Sequence, residues 1–515
     1  MGLMALNLLM SIQRGRRRQR IQTNDGSLTS VSKRKLPSFQ QDGNSEGGKR
    51  MKYPGPVLPE EIWCHIHSLM PMQAAAQAAC VSRSFLHSWR CYPNLTFSRG
   101  IQCRNVNAHE ADEIATNLTT KVDRSLVKHT GSMKKLKLEF YNCNVKACDL
   151  DRWLQIGVTP AIEELTVWLS WDRKKYKFPW PLLSNGSGNS IRYLNLSNCA
   201  FRPTVRLGLR SLTKLCLCDV LITGDELSCL LDNAFVLEQL SLQRCSKIIS
   251  LKIPSWLRQL SDLEVFECER LQAMEIEAQY LSKITFAAVN ELGQLSFGKA
   301  LQLKILELYY YDAVCYARAE LPSIFPSLES LTIFSWSEMA SAPMVPSKFS
   351  YLKHLSVVFP AGSLSPTYDH CSLISFFDAS PSLETFSLQV VPIGAKHPSI
   401  FADPSGLRKM REHRHDKLKN VKIVGFSTSK SLVELTCHIL ESTTSLEYLT
   451  LDTTDGHSPP RCSSVHRLGK CFPIDRDVIL EAHRALLAIR TYIQGIVPSK
   501  VKFTVGKPCS HCHAV

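Results

Sequence analysis

A short apolar pattern recurs through most of this chain and limits what it can fold into. It consists of an apolar residue, two variable residues and an apolar-x-apolar triplet, as in Ile191 to Leu196 and Leu446 to Leu451. The fourth position of each copy defines thirteen markers: Leu136, Leu165, Leu194, Leu215, Leu240, Leu263, Ile284, Leu306, Leu331, Leu355, Phe386, Val421 and Leu449. Successive markers lie 21 to 35 residues apart, and all but two gaps are 29 residues or shorter. Chance would not keep this register, so the pattern predicts a repeat architecture.

The spacing is typical of leucine-rich repeats, whose core L-x-x-L-x-L-x-x-N/C returns about every 20 to 29 residues. Cys199, Cys245 and Cys268 stand at the last position of that core. A chain of 515 residues exceeds an ordinary compact domain, but a solenoid has no such limit because each repeat packs only on its neighbours. We therefore predict an α/β fold, in which a small helical domain precedes a leucine-rich-repeat β/α horseshoe solenoid.

The net charge of +15 is concentrated at the start of the chain. Residues 1–55 hold eleven basic and three acidic side chains, hence a net charge of +8, and they are rich in Ser, Gln, Gly and Asn. Such a composition is typical of disorder. Two basic clusters have the spacing of a two-part nuclear-import signal; they contain Lys33, Arg34, Lys35, Lys49, Arg50 and Lys52. A solvated basic arm without a targeting role explains the same residues.

Membrane and exported proteins are disfavoured. No apolar run reaches the roughly 18 residues of a membrane span, so we expect no membrane partner. Arginines follow the apolar residues 1–10, whereas a secretory signal begins with its basic residues. We therefore expect the 19 cysteines to be reduced thiols and the protein to reside in the nucleus, the cytoplasm or both.

A helical segment is predicted after residue 56. Pro59 suits the first turn of a helix, and Glu60 and Glu61 suit the positive end of its dipole. Two apolar faces follow at helical spacing, formed by Ile62, Ile66 and Leu69 and by Val81, Phe85 and Trp89. About forty residues bury little apolar surface alone, so we expect a partner or the first repeat to cover these faces.

The segment from Leu58 to Ser98 resembles the F-box of plant proteins that join an F-box to leucine-rich repeats, particularly those of grasses. The LPEEI opening, the triplet at 81–83 (VSR) and the pair at 89–90 (WR) carry the resemblance. It implies that the F-box docks on the Skp-type adaptor of a cullin-RING ubiquitin ligase while the repeats hold a protein substrate. Seven positions would form the adaptor interface: Leu58, Pro59, Ile62, Ile66, Leu69, Val81 and Trp89.

The second helix departs from the family pattern. Relatives commonly carry an acidic residue after the proline at its start, whereas this chain has Gln73, Ala74 and Ala75. A missing N-terminal cap costs about 1 kcal/mol of helix stability. The departure bears on adaptor affinity and not on the fold.

The concave face of the solenoid is the candidate substrate surface. Side chains alternate along a strand, so residues that flank the inward leucines point to this face. The rule predicts four solvent-facing aromatics: Trp168, Phe266, Tyr309 and Phe334. Exposed aromatics on a rigid surface are common anchors of recognition, so we predict that these four bind the substrate. The alternative is that loops or irregular repeats cover them.

The end of the chain is predicted to close the solenoid. Residues 418–454 resemble the C-terminal FBD module of the same plant family, and their pattern predicts two strands around an amphipathic helix. A loop, a helix over 478–493 and a strand through Val501, Phe503 and Val505 would follow as a cap. The predicted units are a tail (1–54), the F-box (55–98), the solenoid (99–417, beginning with one irregular repeat), FBD-like repeats (418–454) and the terminal loop and cap (455–515).

The segment 509–513 (CSHCH) is a candidate metal site. Zinc needs four ligands, and one C-x-x-C supplies two, with no second pair at a recognisable spacing. A distant Cys462 or Cys471 could add a ligand. The pattern favours no metal site.

Other candidate sites have simpler explanations. His413 and His415 are two residues apart, so they do not share a helical face, and a charged loop explains them. Residues 186–188 (GSG) lack the third glycine of a dinucleotide loop and predict a turn. We predict no enzyme activity, no metal and no cofactor.

Three functions are compatible with these features. The first is a non-catalytic substrate receptor of an SCF-type ubiquitin ligase, with the Skp-type adaptor, the cullin complex and an unknown protein substrate as partners. The second is a scaffold that binds nucleic acid or protein through the basic tail and the repeats, although nucleic acid is the less favoured partner. The third is a sensor that holds a small anion on the concave face.

Overall fold

A computed structural model of the chain describes residues 59–80, 83–98, 108–140, 145–170, 175–184, 186–203, 208–288, 294–296, 302–338, 347–391, 397–402, 406–408, 410, 414–454 and 474–509. The basic tail with its predicted import signal lies outside these residues, as do Leu58 and Val81.

The described residues form twenty strands, eleven α-helices and several shorter turns of helix. The strands are β1 Asn94–Ser98, β2 Lys135–Glu139, β3 Glu164–Trp168, β4 Tyr176–Lys177, β5 Tyr193–Ser197, β6 Cys199–Ala200, β7 Lys214–Cys218, β8 Gln239–Gln243, β9 Ser250–Ile253, β10 Asp262–Phe266, β11 Ala273–Ile276, β12 Lys283–Ala287, β13 Gln294–Ser296, β14 Ile305–Tyr310, β15 Ser330–Ser335, β16 His354–Phe359, β17 Thr385–Val390, β18 Asn420–Val424, β19 Tyr448–Asp452 and β20 Lys502–Gly506. The helices are α1 Glu60–Leu69, α2 Met72–Ala79, α3 Arg83–Arg90, α4 Ala108–Val127, α5 Ala147–Gly157, α6 Gly224–Leu231, α7 Ala313–Ala319, α8 Leu321–Ile324, α9 Ile374–Ala379, α10 Lys430–Ser442 and α11 Arg476–Ala488.

One parallel sheet of fifteen strands runs through the described part of the chain in sequence order. All thirteen predicted markers occupy equivalent, directly paired positions, from Leu136 opposite Leu165 to Val421 opposite Leu449. Leu95 in β1 and Phe503 in β20 occupy the equivalent position in the first and last strands of the sheet. The predicted solenoid is confirmed.

Repeat length decides which element lies opposite the main sheet. The short repeats from Leu240 to Leu306, with gaps of 23, 21 and 22 residues, carry β9, β11 and β13, which pair in a small parallel sheet. Longer repeats carry helices, such as α5 in the 29-residue gap before Leu165 and α10 in the 28-residue gap before Leu449. An extended strand covers the same distance with about half as many residues as a helix, so a short repeat can still close.

A tight turn follows the strand in five repeats. One non-glycine residue adopts positive φ there, between 49° and 57°: Asn198, Asp219, Arg244, Glu267 and Asp312. The backbone N–H of this residue donates a hydrogen bond to a backbone carbonyl of the next repeat. The N–H of Arg244, for example, donates to the Phe266 carbonyl at 2.8 Å. The buried thiol of Cys245 donates to the Leu217 carbonyl, with 3.6 Å between sulfur and oxygen. The last position of the repeat core therefore satisfies backbone groups inside the solenoid.

The two ends of the sheet differ from the regular repeats. β1 follows α3 directly, so the sheet begins within the span predicted for the F-box. The region predicted as one irregular repeat contains the 20-residue helix α4. At the other end, residues 418–454 form two strands around a helix as predicted, and the predicted terminal strand is β20. No helix in the described ranges has the length and apolarity needed to cross a bilayer.

Candidate functional site

Helix α1 presents its predicted apolar face to solvent. Pro59 occupies the N-cap position, and two acidic residues fill the first turn. Ile62 is 44% exposed and Leu69 is 73% exposed, while Ile66 is half-buried between them. His67 lies on the opposite face and is buried. Spacings of three and four residues place the first three side chains along one exposed stripe.

Helix α3 packs on α1 and carries one more exposed apolar residue. The ring of Phe85 lies 5.0 Å from Trp63 and 4.9 Å from His67, measured between centroids. Leu86 is turned away from these rings and is 41% exposed. The sequence analysis did not select Leu86, because the four-residue spacing of Phe85 and Trp89 marks only the inner face of the helix. The available signal was that Leu86 is an apolar residue directly after Phe85, outside that face.

We call the side chains of Ile62, Leu69 and Leu86, which are exposed, together with the half-buried Ile66, the apolar stripe. Helix α2, which packs with α3, has no side-chain cap at its N-terminus and no acidic residue in its first turn, as its sequence predicts. Trp89 is half-buried, with its ring centroid 5.4 Å from that of Tyr92, so it joins the helices to the first strand. Pro59 is exposed at the start of α1.

The helices are fixed to the start of the sheet by hydrogen bonds. The Tyr92 hydroxyl donates to the Met70 carbonyl at 2.9 Å. The backbone N–H of Thr96, in β1, lies 3.1 Å from the sulfur of Met72. The backbone N–H of Thr130 donates to the Arg90 carbonyl at 2.9 Å. Contacts from α1, α2 and α3 therefore orient the apolar stripe relative to the repeats.

Three of the four aromatics predicted to face solvent are buried. Phe266, Tyr309 and Phe334 are 9%, 6% and 2% exposed, so the prediction of exposure is wrong for them. Their rings contact one another: Phe266 in β10 reaches past Ala287 of β12 to Tyr309 in β14, edge to face with centroids 5.7 Å apart, and Tyr309 lies 5.4 Å from Phe334 on the next strand, β15. In-register strands bring large side chains on one face into contact, so the three rings bury part of one another's surface. Trp168 is half-buried.

The rest of the concave face is polar and nearly balanced in charge. The first and third residues of the fifteen main-sheet strands include six lysines and four acids: Lys135, Lys137, Lys214, Lys283, Lys422, Lys502, Glu164, Asp262, Glu264 and Glu307. Several acids are already engaged; Ser241 and Gln243 donate to Glu264 at 3.0 and 2.9 Å. Burial raises the pKa of Glu264, partly offset by these donors. Such a surface suits hydrogen bonds to a polypeptide better than binding of a polyanion.

A charge cluster, in which an exposed arginine binds one buried and one partly exposed carboxylate, ties the segment around residue 408 to the last repeats. Arg408 donates to both carboxylate oxygens of Asp369, at 2.7 and 2.9 Å, and its Nε donates to Glu434 at 2.6 Å. Arg408 lowers the pKa of Asp369 by hydrogen bonding to its carboxylate. The side chain of Glu434 has no exposure, so this arginine neutralises a charge that water does not reach.

The other predicted sites are only partly described. Cys462, Cys471 and residues 510–513 lie outside the described residues, as does His413. Within the described ranges, no group of three or more His, Cys, Asp or Glu side chains is placed to hold a metal ion. His415 donates its backbone N–H to the Ser442 carbonyl at 2.9 Å. Gly186 has φ of 84° and precedes a 3₁₀ turn, which confirms the predicted turn.

Two plant proteins and one protein family are similar to this chain. Residues 126–510 match the model of the family described as At1g61320/AtMIF1, LRR domain. The putative F-box/FBD/LRR-repeat protein At4g03220 of Arabidopsis thaliana is 26% identical over 239 residues, which cover 44% of this chain and 45% of that protein. The F-box protein At5g03100 of the same plant is 22% identical over 249 residues, which cover 47% and 75%. The matched region therefore spans less than half the length of At4g03220.

A solved structure gives a weaker match. An internalin, InlF, from Listeria monocytogenes has 12% sequence identity and a TM-score of 0.30, and the alignment covers 69% of this chain and 86% of the internalin.

Proposed function

The chain belongs to the leucine-rich-repeat family described as At1g61320/AtMIF1, LRR domain, and from this premise we propose that it is the substrate-recognition subunit of an SCF-type cullin-RING ubiquitin ligase. Its F-box helices dock on the Skp-type adaptor, and its repeats bind a target protein. The names of two relatives, an F-box/FBD/LRR-repeat protein and an F-box protein, agree with this assignment.

The apolar stripe is the observation that carries the proposal. Ile62, Leu69 and Leu86 expose between 41% and 73% of their surface, whereas Trp63, His67 and Phe85 on the same two helices pack against one another. An apolar group of this kind on a small helical unit marks an interaction site, because water-exposed apolar surface is stabilised when a partner covers it. The adaptor is the partner that the F-box resemblance implies.

The fixed junction between helices and sheet explains how such a subunit would work. A target held on the repeats would keep a defined orientation towards the adaptor, because hydrogen bonds join the F-box helices to β1 and to the residues before β2. Holding a target lysine near a charged ubiquitin-conjugating enzyme raises its effective concentration. The proposal therefore assigns no chemical step to this chain.

We also propose a role for each segment of the chain. Residues 1–54 form a basic tail with a nuclear-import signal, and residues 55–98 form the F-box of a grass-type protein. Residues 99–417 form the solenoid, residues 418–454 form an FBD module, and residues 455–515 form a loop and cap. The nucleus and the cytoplasm are the proposed locations. The two strands around α10 are the observation that supports the FBD assignment.

Adaptor binding by the full-length protein tests the proposal. The affinity of a purified Skp-type adaptor is measured for the unmodified chain and for an Ile62→Asp, Leu69→Asp variant. Two carboxylates in an apolar interface are expected to weaken binding by at least about a hundredfold, which corresponds to about 3 kcal/mol.

A matched control uses Ile496→Asp and Leu487→Asp, since these residues are 42% and 53% exposed near the other end of the chain. The control is expected to bind the adaptor with unchanged affinity. Absence of binding by the folded, unmodified chain would reject the proposal, as would equal loss in both variants.

A further inference from the structure

Strands β10, β12 and β14 carry an uneven patch near the middle of the concave face. Their register places nine side chains on that face in three rows: Asp262, Lys283 and Ile305; Glu264, Thr285 and Glu307; and Phe266, Ala287 and Tyr309. We call these nine side chains the central patch. Thr285 and Ala287 are shorter than their neighbours on both sides, so β12 forms the floor of a groove between β10 and β14. Phe266 reaches past Ala287 to Tyr309 and closes one end of the groove, so its open part lies along Lys283 and Thr285.

The central patch carries an excess of negative charge. Its acids are Asp262, Glu264 and Glu307, and its one cation is Lys283, whose Nζ lies 3.6 Å from a Glu307 oxygen. Asp262 and Glu264 form no ion pair with any residue that the structure describes. Two carboxylates on one strand therefore lack a basic partner.

The neighbouring lysines of the concave face have other contacts. Lys135 lies 2.5 Å from Glu164, measured between nitrogen and oxygen. Lys214 is separated from β10 by β8, and its Nζ lies 5.8 Å from the centroid of the Tyr193 ring. The excess of negative charge is therefore local to β10, β12 and β14.

Water compensates these charges only in part. Burial raises the pKa of Asp262, and the Glu307 carboxylate acts in the same direction, while Lys283 opposes it. Burial also raises the pKa of Glu264, although Ser241 and Gln243 donate hydrogen bonds to its carboxylate. A cation bound beside the two carboxylates would stabilise their ionised forms.

Two further side chains of the central patch indicate what accompanies the cation. Thr285 is 8% exposed, and its hydroxyl forms no hydrogen bond with the residues that the structure describes, although it lies between Glu264 and Glu307 on the sheet. This hydroxyl can accept an N–H from a ligand. Ile305 is 39% exposed on the same face and offers an apolar contact. Binding of a cation, an N–H donor and an apolar group is what a polypeptide with a basic residue can provide.

We propose that the central patch binds a basic, extended segment of the target protein, with an arginine side chain between Asp262 and Glu264 and a neighbouring apolar side chain on Ile305. The inference rests on the proposed function, because it names the class of target that the repeats hold. Alternate residues of a strand lie about 7 Å apart, which leaves room for a guanidinium group between the two carboxylates. Its planar set of five N–H donors can reach both carboxylates and the Thr285 hydroxyl.

Peptide binding by the full-length protein tests the ligand class. Fluorescence anisotropy measures the affinity of a labelled peptide GSLRLRSG and of the same peptide with citrulline, a neutral isostere, in place of both arginines. The arginine peptide is expected to bind at least tenfold more tightly. Equal affinities, or no binding of either peptide, would overturn the proposal. Competition by acetyl-arginine amide at the affinity of the peptide would show a site for small cations and overturn the assignment to a polypeptide.

Variants locate the binding. Asp262→Asn with Glu264→Gln removes two charges with little change of shape and is expected to weaken binding of the arginine peptide at least tenfold, to the affinity of the citrulline peptide. Glu441→Gln with Glu447→Gln removes two exposed acids elsewhere and is expected to leave binding unchanged. Equal loss in both pairs would show diffuse electrostatic attraction and overturn the proposal.

Adaptor binding separates this inference from the proposed function. The Asp262→Asn, Glu264→Gln variant is expected to bind the Skp-type adaptor with unchanged affinity, which also shows that it is folded. Undiminished peptide binding by this variant would overturn the central patch as the site while the ligase proposal stands. Tight, arginine-dependent peptide binding by an unmodified chain that fails to bind the adaptor would support the patch and reject the ligase proposal.

Discussion

The guanidinium group of Arg408 donates a hydrogen bond of 2.6 Å to the carboxylate of Glu434, whose side chain is completely buried in α10. The same guanidinium group binds Asp369 at the start of the turn that leads into α9. Arg408 lies in the longest gap of the pattern, between the markers Phe386 and Val421, and its side chain joins a residue that precedes Phe386 to one that follows Val421.

Loss of this arginine is expected to destabilise the last repeats. Arg408→Met leaves the Glu434 carboxylate buried without its charged partner, which should cost about 3 kcal/mol in the free energy of unfolding. The double variant Arg408→Met, Glu434→Leu should recover part of that loss, because it removes the stranded charge. Urea unfolding measures both values. Arg258→Met, at an exposed arginine, is the control, and an equal effect there would contradict the prediction.

Leu86 is expected to contribute to adaptor binding although its sequence pattern did not reveal it. Leu86→Asp places a charge on the exposed surface of the F-box helices and should weaken adaptor binding about tenfold or more. Its exposure of 41% means that the thermal midpoint should change little. Surface plasmon resonance with the adaptor gives the affinity, and circular dichroism gives the midpoint. Full affinity in a folded Leu86→Asp variant would exclude Leu86 from the interface.

Glu338 is expected to make stability depend on pH near neutrality. Its buried carboxyl accepts hydrogen bonds from the N–H groups of Val314 and Cys315, at 3.2 and 3.1 Å, at the start of α7. Burial raises the pKa of Glu338 from 4.5 to about 7. The folded state therefore retains the proton more strongly than the unfolded state, and the resulting stability, present below pH 4.5, is lost as pH rises through 7.

Glu338→Gln isolates this effect, since glutamine stays neutral. Between pH 4.5 and 8, the unfolding free energy of the unmodified protein should fall by up to about 3 kcal/mol relative to the variant. Chemical denaturation at several pH values measures the difference. Parallel pH profiles for the two proteins would contradict the assignment of a raised pKa.

Replacing Phe334 is expected to lower the free energy of unfolding more than it changes substrate binding. The side chain is 2% exposed and stacks on Tyr309, so Phe334→Ala should cost about 3 to 5 kcal/mol of unfolding free energy. His354→Ala, at an exposed concave position on the next strand, should change stability by less than about 0.5 kcal/mol. A Phe334→Ala variant with an unchanged urea midpoint would show that the aromatic cluster is not part of the core.

The row of markers from Leu136 to Leu449 was readable from the sequence because every repeat must bury the same two side chains against its neighbours. That requirement is local and periodic, so it determined the solenoid, the register of its strands and the placement of the terminal helix and strand. The exposed stripe on α1 was readable for a similar reason, since helical spacing places Ile62, Ile66 and Leu69 on one face.

Only the tertiary structure decided features that depend on contacts between distant residues. Alternation along a strand places Phe266, Tyr309 and Phe334 on the concave face, but their burial depends on contacts between side chains of different strands, which no local pattern encodes. The same holds for the Arg408 cluster, which joins residues from different turns of the solenoid, and for Leu86, whose exposure depends on how α3 packs on α1. Local periodicity specifies which face a side chain takes; what covers that face is a property of the folded chain.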